Sequence, residues 1–219
     1  MSLCSALSNE EIADLNAVSR HKKLSPGQMH VLEGDTIRDF ANVTSGVAKL
    51  MRVADDGRTQ IVGLLFPSDF IGGPLDGKEA EAQTIEAASE LELCLFPRDA
   101  FEGLLQRYPA LERKLLERTL TELQIARDWM VLLGRKTASE RVATFLLYVA
   151  DKMRNQGCQP QAGFDLPLGR ADIADHIGLT IETVSRQITK LRKDGVITMN
   201  GARHVESVDR DRLAERAGF

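Results

Sequence analysis

Two helical periods joined by a glycine run through Leu168-Gly169-Arg170-Ala171-Asp172-Ile173-Ala174-Asp175-His176-Ile177-Gly178-Leu179-Thr180-Ile181-Glu182-Thr183-Val184-Ser185-Arg186-Gln187-Ile188-Thr189-Lys190-Leu191. The first period predicts a short helix over Leu168 to Ile177, with Ile173, Ala174 and Ile177 facing inward. Gly178 ends it, Leu179-Thr180 makes a tight turn, and Thr180 caps a second helix in which Thr183 is the third residue. Ala174 and Gly178 are the small residues needed where two helices cross at a short turn. Val184, Ile188 and Leu191 form the buried stripe of the second helix, which leaves Glu182, Ser185, Arg186 and Thr189 on the opposite face.

That outward set suits the major groove of DNA. A carboxylate accepts from cytosine, a guanidinium pairs with guanine in two places, and small hydroxyls serve either base. Glu182, Ser185 and Arg186 are therefore the candidate base readers. Thr180, Thr183, Thr189 and Lys190 are candidates for backbone contact, with Arg192 and Lys193 following, because contact with phosphate positions a helix without reading sequence. Beyond the helix, Gly195 breaks the chain, and Val196 to Met199 and Arg203 to Val205 flank Asn200-Gly201, a hairpin turn signal that predicts a wing. A solvated helix can carry Glu, Ser and Arg on one face by itself. Two helices, a glycine turn, a cap and a wing together predict a winged helix-turn-helix.

Upstream, a helix is predicted from Pro109 for about 25 residues, since neither Pro nor Gly interrupts it before Gly134. Leu116, Leu120, Leu123 and Met130 recur on one stripe of it, the seam of a two-helix coiled coil and so a dimer contact. The other reading of this stripe is packing on the chain's own core. Trp129 and Leu132-Leu133, near the end of this helix, are expected to pack against the β-rich front, with no cofactor role. A further helix is predicted over Ser139 to Met153, and residues 157–163, with Cys158, read as a polar loop.

The front reads as β structure. Strand-like runs at Met29 to Leu32, Val47 to Val53, Gln60 to Phe66 and Leu91 to Phe96 are separated by Gly-, Asp- and Pro-rich turns, of which Asp56-Gly57 is a good hairpin signal. Short strands at this spacing suggest an antiparallel jelly roll. The predicted fold is thus α+β: a β-roll domain over residues 1–108, a dimerisation helix over 109–136 and a winged helix-turn-helix domain over 137–219.

Net charge is −4 over 219 residues, which by itself argues against nucleic acid. The sign is local, however. Residues 137–219 hold 12 Lys and Arg against 11 Asp and Glu, a net of +1, which leaves 16 against 21, a net of −5, in the rest. Hydrophobic stretches carry charges too often to span a bilayer, the N-terminus lacks a secretion signal, and three scattered cysteines make no disulfide framework, so the expected location is the cytoplasm. An enzyme is not expected. His21, His30, His176 and His204 are scattered, and no phosphate loop, nucleophile elbow or His-Glu-x-x-His motif is present.

Taken together, the β-rich front, long helix and winged helix-turn-helix resemble the CRP/FNR superfamily over nearly the whole chain. Leu179 to Arg186 is similar to the recognition-helix start of the FNR branch, with its Glu-x-x-Ser-Arg signature at Glu182, Ser185 and Arg186. The cyclic-AMP-receptor branch has an arginine where Ile181 stands. The resemblance implies a homodimer, an operator like TTGAT-N4-ATCAA and contact with RNA polymerase, for which the turn at Asp55-Asp56-Gly57-Arg58 is a candidate by position. Gln187 departs from the usual aliphatic residue, and Ile188 is expected to supply the packing instead.

For the sensor, cyclic nucleotide is disfavoured. Between Gly72 and Phe96 there is no arginine and only Lys78 is basic, so a cyclic phosphate lacks a bidentate partner. The FNR resemblance implies instead an oxygen-labile [4Fe–4S] cluster, with Cys94 similar to the β-domain ligand and Cys4 to the last cysteine of an N-terminal group. A cubane cluster normally needs four thiolates, and Met1-Ser2-Leu3 reads as a cloning-derived start that replaced the segment carrying the others. The alternatives are a cluster-free regulator of the same family, controlled by another ligand or by thiol oxidation, with Cys94 a buried apolar thiol.

Overall fold

A computed structural model describes residues 8–73, 81–154 and 163–218. The chain divides into two compact units, Met1–Ala126 and Arg127–Phe219. Cys4, Lys78 and Cys158 lie outside the described residues.

The first unit begins with α1 (Asn9–Val18) and ends inside α3 (Pro109–Arg135). Between them lie β1 (Arg20–Leu24), β2 (Met29–Val31), β3 (Asp39–Ser45), β4 (Ala48–Val53), β5 (Thr59–Leu65), β6 (Phe70–Ile71), β7 (Thr84–Ala87), β8 (Leu91–Pro97) and α2 (Arg98–Arg107). The strands make two four-stranded antiparallel sheets, ordered β1-β8-β3-β6 and β2-β7-β4-β5. On β8 the period of two is clear: Leu91, Leu93 and Leu95 point into the core, where they meet Val43 of one sheet and Ala48 and Ile85 of the other. The jelly-roll expectation holds. Residues Ala54 to Arg58 close the β4–β5 hairpin, with Gly57 at φ 82°, in the place the Asp-Gly pair marks.

A second cluster, centred on Phe40, Phe96 and Phe101, lies under α1, α2 and the start of α3. Ser8 and Glu11 form a reciprocal capping box at the head of α1. On α3, Leu111 is fully buried against this cluster, and the Arg118 guanidinium donates to Asp69 Oδ1 at 2.7 Å while Asp69 Oδ2 accepts from the Phe66 N–H. The opposite stripe of the helix is open: Leu116, Leu120, Leu123 and Met130 are all exposed in the single chain, and so is Val131.

The second unit contains the last turns of α3, then α4 (Ala138–Arg154), β9 (Phe164–Asp165), α5 (Arg170–Ile177), α6 (Ile181–Lys193), β10 (Ile197–Asn200), β11 (His204–Val208) and α7 (Arg210–Ala217). Val142, Phe145, Leu146 and Val149 give α4 a buried face that carries α5, α6 and α7. Two expectations change. Trp129 lies on the second unit, not on the β-rich front: its ring meets Tyr148 edge-on at 5.6 Å and tilts over His176 at 4.3 Å, and Leu132 is buried within the same unit. Tyr148 on α4 and His176 on α5 supply its ring partners. The wing turn also differs from a two-residue Asn-Gly turn. Asn200 still pairs with His204, so the loop is Gly201-Ala202-Arg203, with Gly201 at φ 69° and a bulge at Thr198/Met199.

Candidate nucleic-acid interface

The second unit builds its outward face from the backbone upward. Gly178 closes α5 at φ 63°, ψ 48°, a left-handed conformation that any residue with a Cβ adopts at a cost. Two residues later the Thr180 side chain accepts from the Thr183 N–H at 3.3 Å, which starts α6 where the sequence places it. Val184, Ile188 and Leu191 are buried beneath α6, so Ile188 does the packing that Gln187 does not. Its far end is held by α7: Arg212 donates to the carbonyls of Asp194 at 2.7 Å and Gly195 at 3.4 Å, and Arg216 pairs with Asp194 at 3.0 Å. Cations at a helix C-terminus offset its macrodipole.

On the free face, Glu182 and Arg186 are exposed and Ser185 is half-buried between them. The Glu182 carboxyl is held below the usual range by its own backbone N–H at the helix start and by the Thr180 hydroxyl, so it stands ionised as an acceptor. The Arg186 guanidinium rests 3.3 Å from Thr183 Oγ1. Thr189 donates to the Ser185 carbonyl at 2.8 Å, so its hydroxyl proton is already used on its own helix. Lys190, Arg192 and Lys193 make the last turn basic and exposed.

Two cationic residues escaped the sequence reading. Arg170, at the head of α5, donates to the Ala202 carbonyl in the wing turn at 3.0 Å, and burial together with the facing charges of Arg192 and Arg203 holds its guanidinium below the usual arginine range. The Arg203 guanidinium lies beside Gly169, which caps α5 with no side chain of its own. Three guanidiniums thus gather where the start of α5, the end of α6 and the wing turn meet. In sequence they stand 22 and 11 residues apart, too far for any local pattern to join them.

In the first unit, Cys94 lies on β8 opposite His21 and Asn42, half-buried against the cluster under α1 and α2. Among the described residues no group of three or more His, Cys, Asp or Glu is placed to hold a metal ion. Residues 74–80, part of the Gly72-to-Phe96 stretch on which the reading of cyclic nucleotide rests, lie outside the described residues.

Family models match in both units. A cyclic nucleotide-binding domain covers residues 21–108, and a Crp-like helix-turn-helix domain covers residues 140–216. The chain is similar to transcriptional activator protein FnrL of Cereibacter sphaeroides, at 43% identity over 219 residues, 99% of this chain and 88% of the relative. Nitrogen fixation regulation protein FixK of Bradyrhizobium diazoefficiens is 38% identical over 198 residues, 90% of this chain and 82% of the relative. Among solved structures, FixK2 from Bradyrhizobium japonicum superposes with a TM-score of 0.80 at 32% identity, covering 90% of this chain and 96% of that one. With its β-roll, long helix and winged helix-turn-helix, the chain belongs to the CRP/FNR family of DNA-binding transcriptional regulators.

Proposed function

We propose that the chain acts as a homodimer that reads a TTGAT-N4-ATCAA-like palindrome and activates transcription in response to oxygen or redox state. The observation that carries the DNA reading is the capped helix α6, with its apolar stripe buried and Glu182, Ser185 and Arg186 together on the open face. In this reading Arg186 pairs with guanine and Glu182 accepts from cytosine, while Thr183 and Lys190 hold the backbone, joined by Thr180 and Thr189 when their hydroxyls turn to phosphate from the Glu182 carboxylate and the Ser185 carbonyl. Arg170, Arg192 and Arg203 add positive charge for phosphate. Leu116, Leu120, Leu123 and Met130 form the dimer seam, because a contiguous apolar stripe on a long helix marks an interaction surface. Activation follows the relatives' names, and it requires contact with RNA polymerase. The role is one of binding, in the cytoplasm, with no catalytic step.

The test is Arg186→Ala, with binding to the palindrome and to a scrambled duplex compared at fixed salt. Losing the guanine contact costs about 1–3 kcal/mol per half-site. The variant is expected to lose operator preference and to keep non-specific binding. Intact preference refutes the placement of α6 in the groove.

The signal rests on Cys94 and on the FNR-like neighbourhood of Cys4. Described residues supply one cysteine, Cys94, which does not by itself make a cluster site. In a form that carries four cluster cysteines, anaerobic reconstitution with iron and sulfide is expected to give a brown, air-sensitive protein, and Cys94→Ala in that form is expected to stay colourless. A colourless four-cysteine form favours the cluster-free alternative, in which another ligand or thiol oxidation controls binding.

A further inference from the structure

Between the end of α3 and the helix-turn-helix, one side chain makes four hydrogen bonds, all to backbone carbonyls. Arg141, on the first turn of α4, donates through Nη2 to the Leu133 carbonyl at 2.7 Å and through Nε to the Lys136 carbonyl at 2.9 Å. Its Nη1 donates to the carbonyls of Ile177 at 3.1 Å and Gly178 at 3.2 Å. The first two carbonyls belong to the C-terminal end of α3, and the second two to the C-terminal end of α5. Both helices thus direct the negative ends of their dipoles at one planar cation. A guanidinium has five N–H donors in a fixed fork, so meeting acceptors from two helices fixes their mutual angle as well as their distance. A lysine in its place has a single nitrogen and no such fork.

The surroundings reinforce this arrangement. A Cβ on Gly178 would sit 3.3 Å from Arg141 Nη1 and 3.4 Å from Leu133 Cδ2, so the helix-turn-helix turn is in contact with both the guanidinium and α3. Trp129, one turn earlier on α3, tilts over His176 of α5 at 4.3 Å. From Gly178 only Leu179 intervenes before Thr180, the cap of α6. The direction in which α6 leaves is therefore set within three residues of the clamp.

We propose that Arg141 is a positioning residue for DNA recognition that fixes the spacing between the two half-sites the dimer accepts. This rests on the reading of the protein as a dimer with its seam on α3. If the seam, through Met130, joins the ends of the two α3 helices that lie in the second unit, the distance and angle between the two copies of α6 depend on how rigidly each α6 is tied to the end of its own α3. Arg141 makes that tie through Leu133, Lys136, Ile177 and Gly178. None of these four hydrogen-bond partners is a base-reading residue, so half-site sequence is set by α6 and half-site spacing by the clamp.

The experiment is selection of the whole chain, with no assumed operator, from a pool of random duplexes, for the parent protein, Arg141→Ala and Arg141→Lys. Thermal unfolding of each verifies folding. The parent protein is expected to recover paired half-sites at one dominant spacing, favoured roughly tenfold or more over spacings one base pair longer or shorter, about 1.4 kcal/mol. Arg141→Ala is expected to recover the same half-site sequence with that preference reduced to about threefold or less. Arg141→Lys, which keeps the charge and loses the fork, is expected to fall between them, and it carries the test if the alanine variant does not fold.

A purely structural role for Arg141 lowers yield or affinity and leaves the spacing distribution unchanged, and that result overturns the proposal. A parent protein that recovers paired half-sites other than TTGAT refutes the operator and leaves the spacing comparison valid. Single, unpaired half-sites from the parent protein refute the dimer reading, and the proposal falls with it.

Discussion

Replacing Arg118 by alanine should loosen α3 from the β-roll. The Arg118 and Asp69 side chains are 15% and 12% exposed, so both charges sit at the edge of the core. Asp69 also accepts from the Phe66 N–H at 2.9 Å, which closes the turn at Phe66 to Asp69. Without Arg118 the carboxylate stays in a largely dry place and loses the guanidinium 2.7 Å away. Breaking a fully buried pair costs about 3–5 kcal/mol, and the residual exposure here moves the expectation down to about 2–4 kcal/mol. In a unit of this size that is a drop of about 10 °C in its melting temperature, read by differential scanning calorimetry at pH 7. Arg118→Met with Asp69→Asn removes both charges and should recover most of the loss, because an uncompensated charge costs more than an absent pair. A shift of less than about 2 °C for Arg118→Ala would show that the pair behaves as a surface contact, and would refute the claim that it fastens the helix.

Ser68 adopts φ 78° in that same turn, so Ser68→Gly should stabilise the first unit by about 0.5–1 kcal/mol, visible as a higher urea midpoint, and a lower midpoint contradicts the strain. Lys190→Ala should weaken binding to every duplex alike and reduce the salt slope by about one, whereas a sequence-dependent loss would make Lys190 a base reader. His30 is held at about 4, below its ordinary value of 6.5, first by burial and then by Lys22, whose Nζ lies 3.2 Å from Nδ1. The folded state favours the neutral ring, so the unfolded chain binds the extra proton between those values. Stability is full above pH 6.5 and falls as pH drops towards 4, by about 3 kcal/mol across the window. His30→Gln should flatten this part of the pH profile of unfolding, and an unchanged slope removes His30 from the account.

Legibility in the sequence followed the kind of interaction. Helix α6 was legible because its signals are local: a Thr cap, a buried stripe at Val184, Ile188 and Leu191, and a glycine at each end. Strand β8 was legible because Leu91, Leu93 and Leu95 alternate. Strand β1 was not, since Arg20-His21-Lys22-Lys23-Leu24 is an edge strand with one buried residue and its ladder comes entirely from β8. Strand β3 hides its period because Phe40 and Ala41 are both buried and a bulge follows at Val43/Ser45. The two residues of β9 make sense only as partners of β11. At the interface, residues on one helix face could be named from spacing, whereas Arg141 could not, because all its partners are backbone carbonyls and a carbonyl leaves no mark in a sequence. The gathering of Arg170, Arg192 and Arg203 depends in the same way on the wing folding back to the head of α5.

Whether α6 reads a specific palindrome is decided by fluorescence anisotropy of the chain at fixed salt, against a TTGAT-N4-ATCAA duplex, a TGTGA-type duplex and a scrambled duplex. The first is expected to be bound at least about a hundredfold more tightly than the scrambled duplex, with the second well behind. Equal affinity for all three contradicts the assignment of Glu182, Ser185 and Arg186 as base readers.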